Sequence, residues 1–156
     1  MATLGVISDT HGQLRPEALA LLASVDRILH AGDLDEPSVL ERLRSVGPVT
    51  VVRGNMDRGA WARVLPESAT VTLEGFRLHL VHDVARLDLD PKADGIAAVI
   101  YGHTHRPHHE MRDGVLYFNP GSAGPRRYGC PVSVGKLYLG PEGMRGEVIT
   151  LDPDPR

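Results

Sequence analysis

Short apolar runs recur along the chain, at residues 2–7, 25–31, 48–52, 78–81 and 96–101. Each is strand-length and mostly lacks the alternation of a half-exposed strand, so each predicts a strand buried on both faces, as in a sheet covered by helices. Amphipathic stretches separate the first three. "RPEALALLAS" (15–24) carries Pro16 where a first helical turn tolerates a missing N–H. "DEPSVLERLRSVG" (35–47) has Pro37 near its start and Gly47 at its end. The order reads βαβαβ. Further along, strand-like pieces at 69–74, 115–118, 132–139 and 146–151 are separated by Gly and Pro turns and predict hairpins. The stretch 83–95, "DVARLDLDPKADG", has no helical period and reads as a shortened crossover, and the tail "LDPDPR" has no pattern at all.

A chain of 156 residues fits one domain, here taken as 1–156, able to bury about two-thirds of its surface. The net charge of −3 and a pI near 6.2 provide no overall field for nucleic acid or an anionic membrane, so an anionic substrate has to be drawn in locally, for which a bound cation suffices. No basic segment precedes a long apolar stretch, and no window approaches the roughly 18 apolar residues of a spanning helix. The expectation is a cytoplasmic protein without membrane or specific nucleic-acid contacts; a homo-oligomer stays open. The single cysteine, Cys130, sits in a turn-like Tyr-Gly-Cys-Pro and reads as an incidental thiol.

Where each apolar run ends, side chains able to bind metal begin: Asp9 and His11, Asp33, Asn55, His82, then His103 and His105. The intervals from Asp9 to Asp33, Asn55, His82 and His103 are 21 to 27 residues each, about one strand plus its return. Strands in an open α/β sheet present their carboxyl ends along one edge, so residues far apart in sequence can meet there. Gly12, Gly32, Gly54 and Gly102 flank these positions and predict sharp turns or close backbone approach. The donors are oxygens and imidazole nitrogens without thiolate, a set suited to Mn, Fe, Zn or Ni. Seven donors exceed what one ion needs but suit two ions sharing a carboxylate, for which Asp33 is the natural bridge.

The two-residue period of "FRLHLVHD" puts Phe76, Leu78, Leu80 and His82 on one face and Arg77, His79, Val81 and Asp83 on the other. His82 therefore ends the buried face and His79 is expected in solvent. His103 and His105, two apart just past a strand, can aim at one site. His108 and His109, beyond Pro107, read as surface. His30 is read either as strand packing or as a support for the ligands.

The ordered set "SDTHG" (8–12), "HAGDL" (30–34), "RGNMD" (53–57), "VH" (81–82), "GHTHRP" (102–107) and "NPGS" (119–122) resembles the calcineurin-like metallophosphoesterases, in particular their small single-domain phosphodiesterase branch. The resemblance implies a four-layer α/β sandwich, helices outside two packed mixed sheets. It implies Asp9, His11 and His105 on one divalent ion, Asn55, His82 and His103 on a second, and Asp33 bridging both. Mn is the first choice of metal, with Ni, Fe, Co and Zn compatible. The implied activity is hydrolysis of a small phosphate ester, most readily a diester, by in-line attack of a metal-bridging hydroxide. The same resemblance implies Asp33 and Asn55 as the catalytic residues, with Asn55 also meeting the substrate. With neutral imidazoles, two dications against Asp9, Asp33 and hydroxide leave one positive charge for the anion; an aspartate at 55 would cancel it.

Two positions depart from the family pattern. Many catalytic members have histidine after Gly-Asn, where Met56 stands here without a proton to give; this favours diesters with good leaving groups over monoesters. Asp83 stands where glycine is frequent, either hydrogen-bonding toward the site or facing solvent. Asp57 keeps an acidic position that orients the loop. Ser122 has no base at readable spacing and reads as part of a turn, and Arg126 and Arg127 read either as anion contacts or as surface. The competing reading is a protein-interaction scaffold of the same fold, such as the retromer subunit of this branch, whose metal centre is degraded; retention of all seven donors argues against it. A metallo-β-lactamase pattern fails at Pro107, where an aspartate is needed.

Overall fold

The computed structural model describes residues 1–127 and 129–151; the last five residues of the "LDPDPR" tail lie outside them. The βαβαβ unit forms as expected: β1 (Ala2–Ile7), α1 (Pro16–Leu22), β2 (Arg27–His30), α2 (Pro37–Val46) and β3 (Val49–Val51), with β1–β2 and β2–β3 parallel. Both long helices start at proline, and α2 stops where the Gly47 N–H donates to the Leu43 carbonyl. A one-turn helix, α3 (Ala60–Arg63), follows the third strand.

The remaining strands are β4 (Ser68–Leu73), β5 (Phe76–Val81), β6 (Ile96–Ile100), β7 (His108–Arg112), β8 (Val115–Asn119), β9 (Ser133–Gly140) and β10 (Gly143–Thr150). They complete two mixed five-stranded sheets, in the orders β10-β9-β1-β2-β3 and β4-β5-β6-β8-β7. Two of the hairpins turn on Glu74-Gly75 and Asp113-Gly114, each with positive φ at both residues, the tight turn that matches strand twist. β7 has no apolar signal: the surface histidines His108 and His109 form an exposed edge strand paired to β8.

Alternation within the strands sorts the core into layers. Ile7, Ile28 and Val51 meet Ala18, Leu22, Val39 and Leu43 of the helices on the outside of the first sheet. Leu4, Val6, Leu29, Leu78, Leu80, Ile100 and Phe118 fill the space between the sheets. The outer face of the second sheet buries Val81, Ile96, Val99, Tyr101 and Val115 under Val84, Leu87 and Leu89. That cover is the expected irregular connection, with a single 3-10 turn at Val84–Arg86 where a longer crossover would carry a helix.

One expectation fails. His79 is on the outer face as its period requires, but that face is covered here, and His79 is only 4% exposed. Its Nδ1 pairs with Thr70 Oγ1 on β4 at 2.8 Å, and burial lowers its pKa against the partial opposition of Asp88 and Asp94. Period two specified the face correctly. It carries no information about what lies above that face.

Candidate metal centre

The carboxyl ends of β1, β2, β3, β5 and β6 gather on one rim, and all seven expected donors come from the turns just beyond them. Asp9, His11, Asp33, His103 and His105 all have left-handed backbones, with φ between 46° and 74°. Such φ is uncommon outside glycine, and Asp and His are among the side chains that tolerate it best. Each turn thereby throws its side chain back across the strand ends. Close packing of the turns accounts for Gly32, Gly54 and Gly102. A Cβ on Gly32 would lie 2.8 Å from His82 Nδ1 and 2.9 Å from Gly54 N, and one on Gly54 would overlap Asp33 N and Oδ1.

Asp9 is fully buried, with its two oxygens in different settings. Oδ2 accepts from Ser8 Oγ (2.8 Å) and the His103 N–H (3.0 Å). Oδ1 has no hydrogen-bond partner, yet lies 3.5 Å from His105 Nε2, 3.8 Å from His11 Nε2 and 3.9 Å from His82 Nε2. Asp33 Oδ1 accepts from the Met56 N–H at 2.8 Å, leaving Oδ2 at 3.7 Å from His11 Nε2 and 3.1 Å from His82 Nε2. Asn55 Oδ1 sits 3.0 Å from His82 Nε2 and 3.3 Å from His103 Nδ1.

Neighbouring groups fix which ring nitrogen is offered. His82 Nδ1–H donates to the Ala31 carbonyl at 2.8 Å, so Nε2 faces the site. His11 Nδ1 pairs with Asp35 Oδ2 at 3.0 Å, leaving Nε2 3.3 Å from His105 Nε2. These contacts to the remote nitrogen orient a ligand ring and raise its basicity. His30 takes both roles that the sequence left open: it is fully buried, and its Nδ1 accepts from the Gly32 N–H at 3.0 Å while Nε2 meets Thr10 Oγ1 at 3.1 Å. Burial, then the charge of His82, holds it neutral by lowering its pKa to about 3.

Asp57 acts through the backbone. Its Oδ2 accepts from Asp33 N (3.0 Å) and Gly54 N (2.8 Å), and its Oδ1 from Asp35 N (2.8 Å), clamping the loops after β2 and β3 together. Asp83 caps the 3-10 turn through Ala85 N and leaves Oδ2 3.9 Å from His103 Nε2. Ser122 Oγ faces the backbone carbonyls of Asp9 and Pro125, as a turn residue does. Asp35 and Ser8 were missed by sequence reasoning; the only signal was their proximity to Asp33 and Asp9.

Electrostatically the site calls for cations. Burial raises the Asp9 pKa, against the charge of His82. Burial also pushes Asp33 up, but the His82 hydrogen bond and charge, the Met56 N–H and His11 outweigh it and leave the carboxyl below its usual range. Burial depresses His82, and Asp33 more than reverses this, so its imidazole titrates above its ordinary value. The reason is geometric: a bare Nε2, Asp33 Oδ2 and Asn55 Oδ1 are three acceptors around one point, which needs a proton or a metal ion. Burial, then the charges of His11 and Arg127, lowers His105 to about 4, keeping it a neutral donor.

The donors fit divalent ions. Asp9, His11 and His105 offer atoms within 4.8 Å of one another, and so do Asp9, Asp33 and His82. Two donors bound at about 2.1 Å to a common ion stand roughly 3.0–3.4 Å apart, the range of the His11–His105, His82–Asp33 and His82–Asn55 separations. A further acidic group, Asp33 with Asp35 and Asp57, has its Asp57 oxygens committed to three backbone N–H groups. Residues 2–139 match the calcineurin-like phosphoesterase superfamily domain.

This chain belongs to that superfamily. It is 36% identical over 162 residues to a probable metallophosphoesterase of Methanothermobacter thermautotrophicus, spanning 94% of this chain and 91% of the relative. It is 37% identical over 106 residues to phosphodiesterase YfcE of Escherichia coli, a stretch covering 64% of this chain and 58% of YfcE. Among solved structures, a novel archaeal phosphodiesterase superposes with a TM-score of 0.78 at 25% identity, over 94% of this chain and 99% of that one.

Proposed function

We propose that the chain is a dinuclear metal-dependent phosphodiesterase of the cytoplasm, hydrolysing a small phosphate ester. In this reading Asp9, His11 and His105 would hold one ion and Asn55, His82 and His103 the other, with Asp33 shared between them. Mn is the first choice, with Ni, Fe, Co and Zn compatible with the same donors. Two bound ions supply a setting where water ionises near neutral pH and phosphate oxygens are clamped.

The protein's own groups do the holding and orienting. Asn55 turns its carbonyl oxygen toward His82 and His103, so the amide nitrogen of this exposed residue is available to a phosphate oxygen. Asp57 and the Met56 N–H fix the Asp33 carboxylate. Met56, 43% exposed next to Asn55, has no proton for a departing alcohol. That favours diesters with acidic leaving groups over monoesters, in keeping with the names of YfcE and the archaeal relative.

One observation carries the reading: the buried Asp9 Oδ1, without a hydrogen bond, surrounded by three imidazole Nε2 atoms. Leaving a buried carboxylate oxygen unpaired is costly, and a cation among these donors removes that cost. The test is to strip metals, restore Mn, Ni, Fe, Co or Zn singly, and assay paired mono- and diesters with wild type and Asp33→Ala. Metal-dependent diester hydrolysis lost in the variant is expected; metal-independent hydrolysis, or none with any ion, overturns the proposal.

A further inference from the structure

A cavity of about 510 Å³ opens from the candidate metal centre. It shares Asn55, His82 and His103 with that centre and runs over the edge of β4 and β5 to His79, bounded by Ser68, Arg86 and Asp88. The volume falls in the range of small-molecule sites. None of the roles argued so far uses this space.

Most of the charged groups around it are already engaged. Arg53 is paired with Glu67 at 2.8 Å, Asp57 holds backbone N–H groups, and Asp83 caps the 3-10 turn. Arg86 and Asp88 have no side-chain hydrogen bond among the described residues, so one donor fork and one acceptor of opposite charge remain. His79 lines the same cavity, is 96% buried, and has an Nε2 without a hydrogen-bond partner. A buried imidazole nitrogen in that state costs free energy until a ligand or water meets it. The lining includes no Phe, Tyr or Trp on which a base could stack, and Val81 is its only aliphatic side chain. Arg86 and Asp88 thus offer a donor and an acceptor on the same wall, and hydroxyls, which both donate and accept, can satisfy the two together.

We propose that this cavity is the subsite for an uncharged, polyhydroxylated arm of the diester, a glycerol or sugar, selected by His79, Arg86 and Asp88. The proposal rests on the phosphodiesterase reading for its substrate but not for its binding chemistry. The test therefore has two readouts. In the first, the metal-loaded protein hydrolyses p-nitrophenyl phosphodiesters whose second arm is glyceryl, ethyl or thymidine. The glyceryl compound is preferred over both by about tenfold, the worth of one to two net hydrogen bonds. Asp88→Ala and His79→Gln each bring that ratio to within about twofold; the first is an exposed position, so its effect cannot be ascribed to misfolding. In the second, the ¹⁵N signals of the His79 ring are followed during titration with glyceryl methyl phosphate and with dimethyl phosphate. A saturable shift with the glyceryl compound alone is expected whether or not it is hydrolysed.

Equal use of the three arms, a preference for ethyl or thymidine, or a preference that survives both substitutions overturns the subsite. So does an unmoved His79 signal. Absence of any hydrolysis together with the glyceryl-specific shift removes the enzyme reading and leaves the subsite standing.

Discussion

The two sheets bury their outer faces by different means. Over the first, α1 and α2 press Ala18, Leu22, Val39 and Leu43 onto Ile7, Ile28 and Val51, and every helical turn is hydrogen-bonded within itself. Over the second, Val84, Leu87 and Leu89 hang from a connection with one 3-10 turn. Asp9, His11, Asp33 and Asn55 stand on the helix-covered sheet. His82, His103 and His105 stand on the loosely covered one, and the cavity opens on that side. Covering a face with loop leaves backbone groups and gaps that a helix would have closed; here the gap adjoins the candidate metal centre, so the irregular cover also sets access to it.

The comparison can be broken most severely at its shared point. Asp33→Ala is expected to lower metal-dependent turnover by roughly 10³-fold or more, because the residue serves both sheets' donors; initial rates at saturating metal measure this. Next come paired truncations of the two covers. Leu43→Ala, on the fully buried face of α2, costs about 2–5 kcal/mol, while Leu89→Ala, half-buried in the connection, costs less than about 1 kcal/mol. Denaturant midpoints on metal-free protein separate them. Asp35→Asn weakens the hold on His11 and is expected to reduce metal affinity about 10- to 100-fold, read by competition with a chelator while the fold stays intact by circular dichroism.

The smallest effect is in pH. His82 titrates above its ordinary 6.5 in the metal-free protein because Asp33 holds its charged form. Its share of metal-free stability is therefore complete below pH 6.5 and is lost as pH rises through the raised value. Metal needs the neutral ring, so affinity falls as pH drops through the same window and binding releases a proton. Calorimetry in buffers of different ionisation enthalpy detects that proton, and Asp33→Asn shifts the window downward.

Much of this was readable in the sequence because two codes coincide there. Unbroken apolar runs gave the central strands, and their polar endings marked the rim where the donors now stand. Edges and covers were less legible. β7, "HHEMR", is held by its pairing to β8 and needs no apolar residue, so no pattern announced it. His79 was on the right face but was expected in water, because the lid over it is thirteen residues of irregular chain whose path periodicity cannot trace. Asp35 and Ser8 carried no signature beyond standing beside a candidate donor. The ring nitrogens that Asp35 and Ala31 direct, and the Asp9 oxygen that Ser8 engages, are settled by three-dimensional neighbours.

The left-handed turns at five of the seven donor positions narrow what evolution or an engineer can place there. Alanine at any of them would remove a proposed ligand and must also adopt a conformation that β-carbons resist, whereas asparagine or glycine fits the turn at little conformational expense. The swaps that least disturb the chain path are thus also those that would retune or silence the proposed metal centre. A descendant could lose the proposed hydrolytic chemistry through very few substitutions without rebuilding its scaffold.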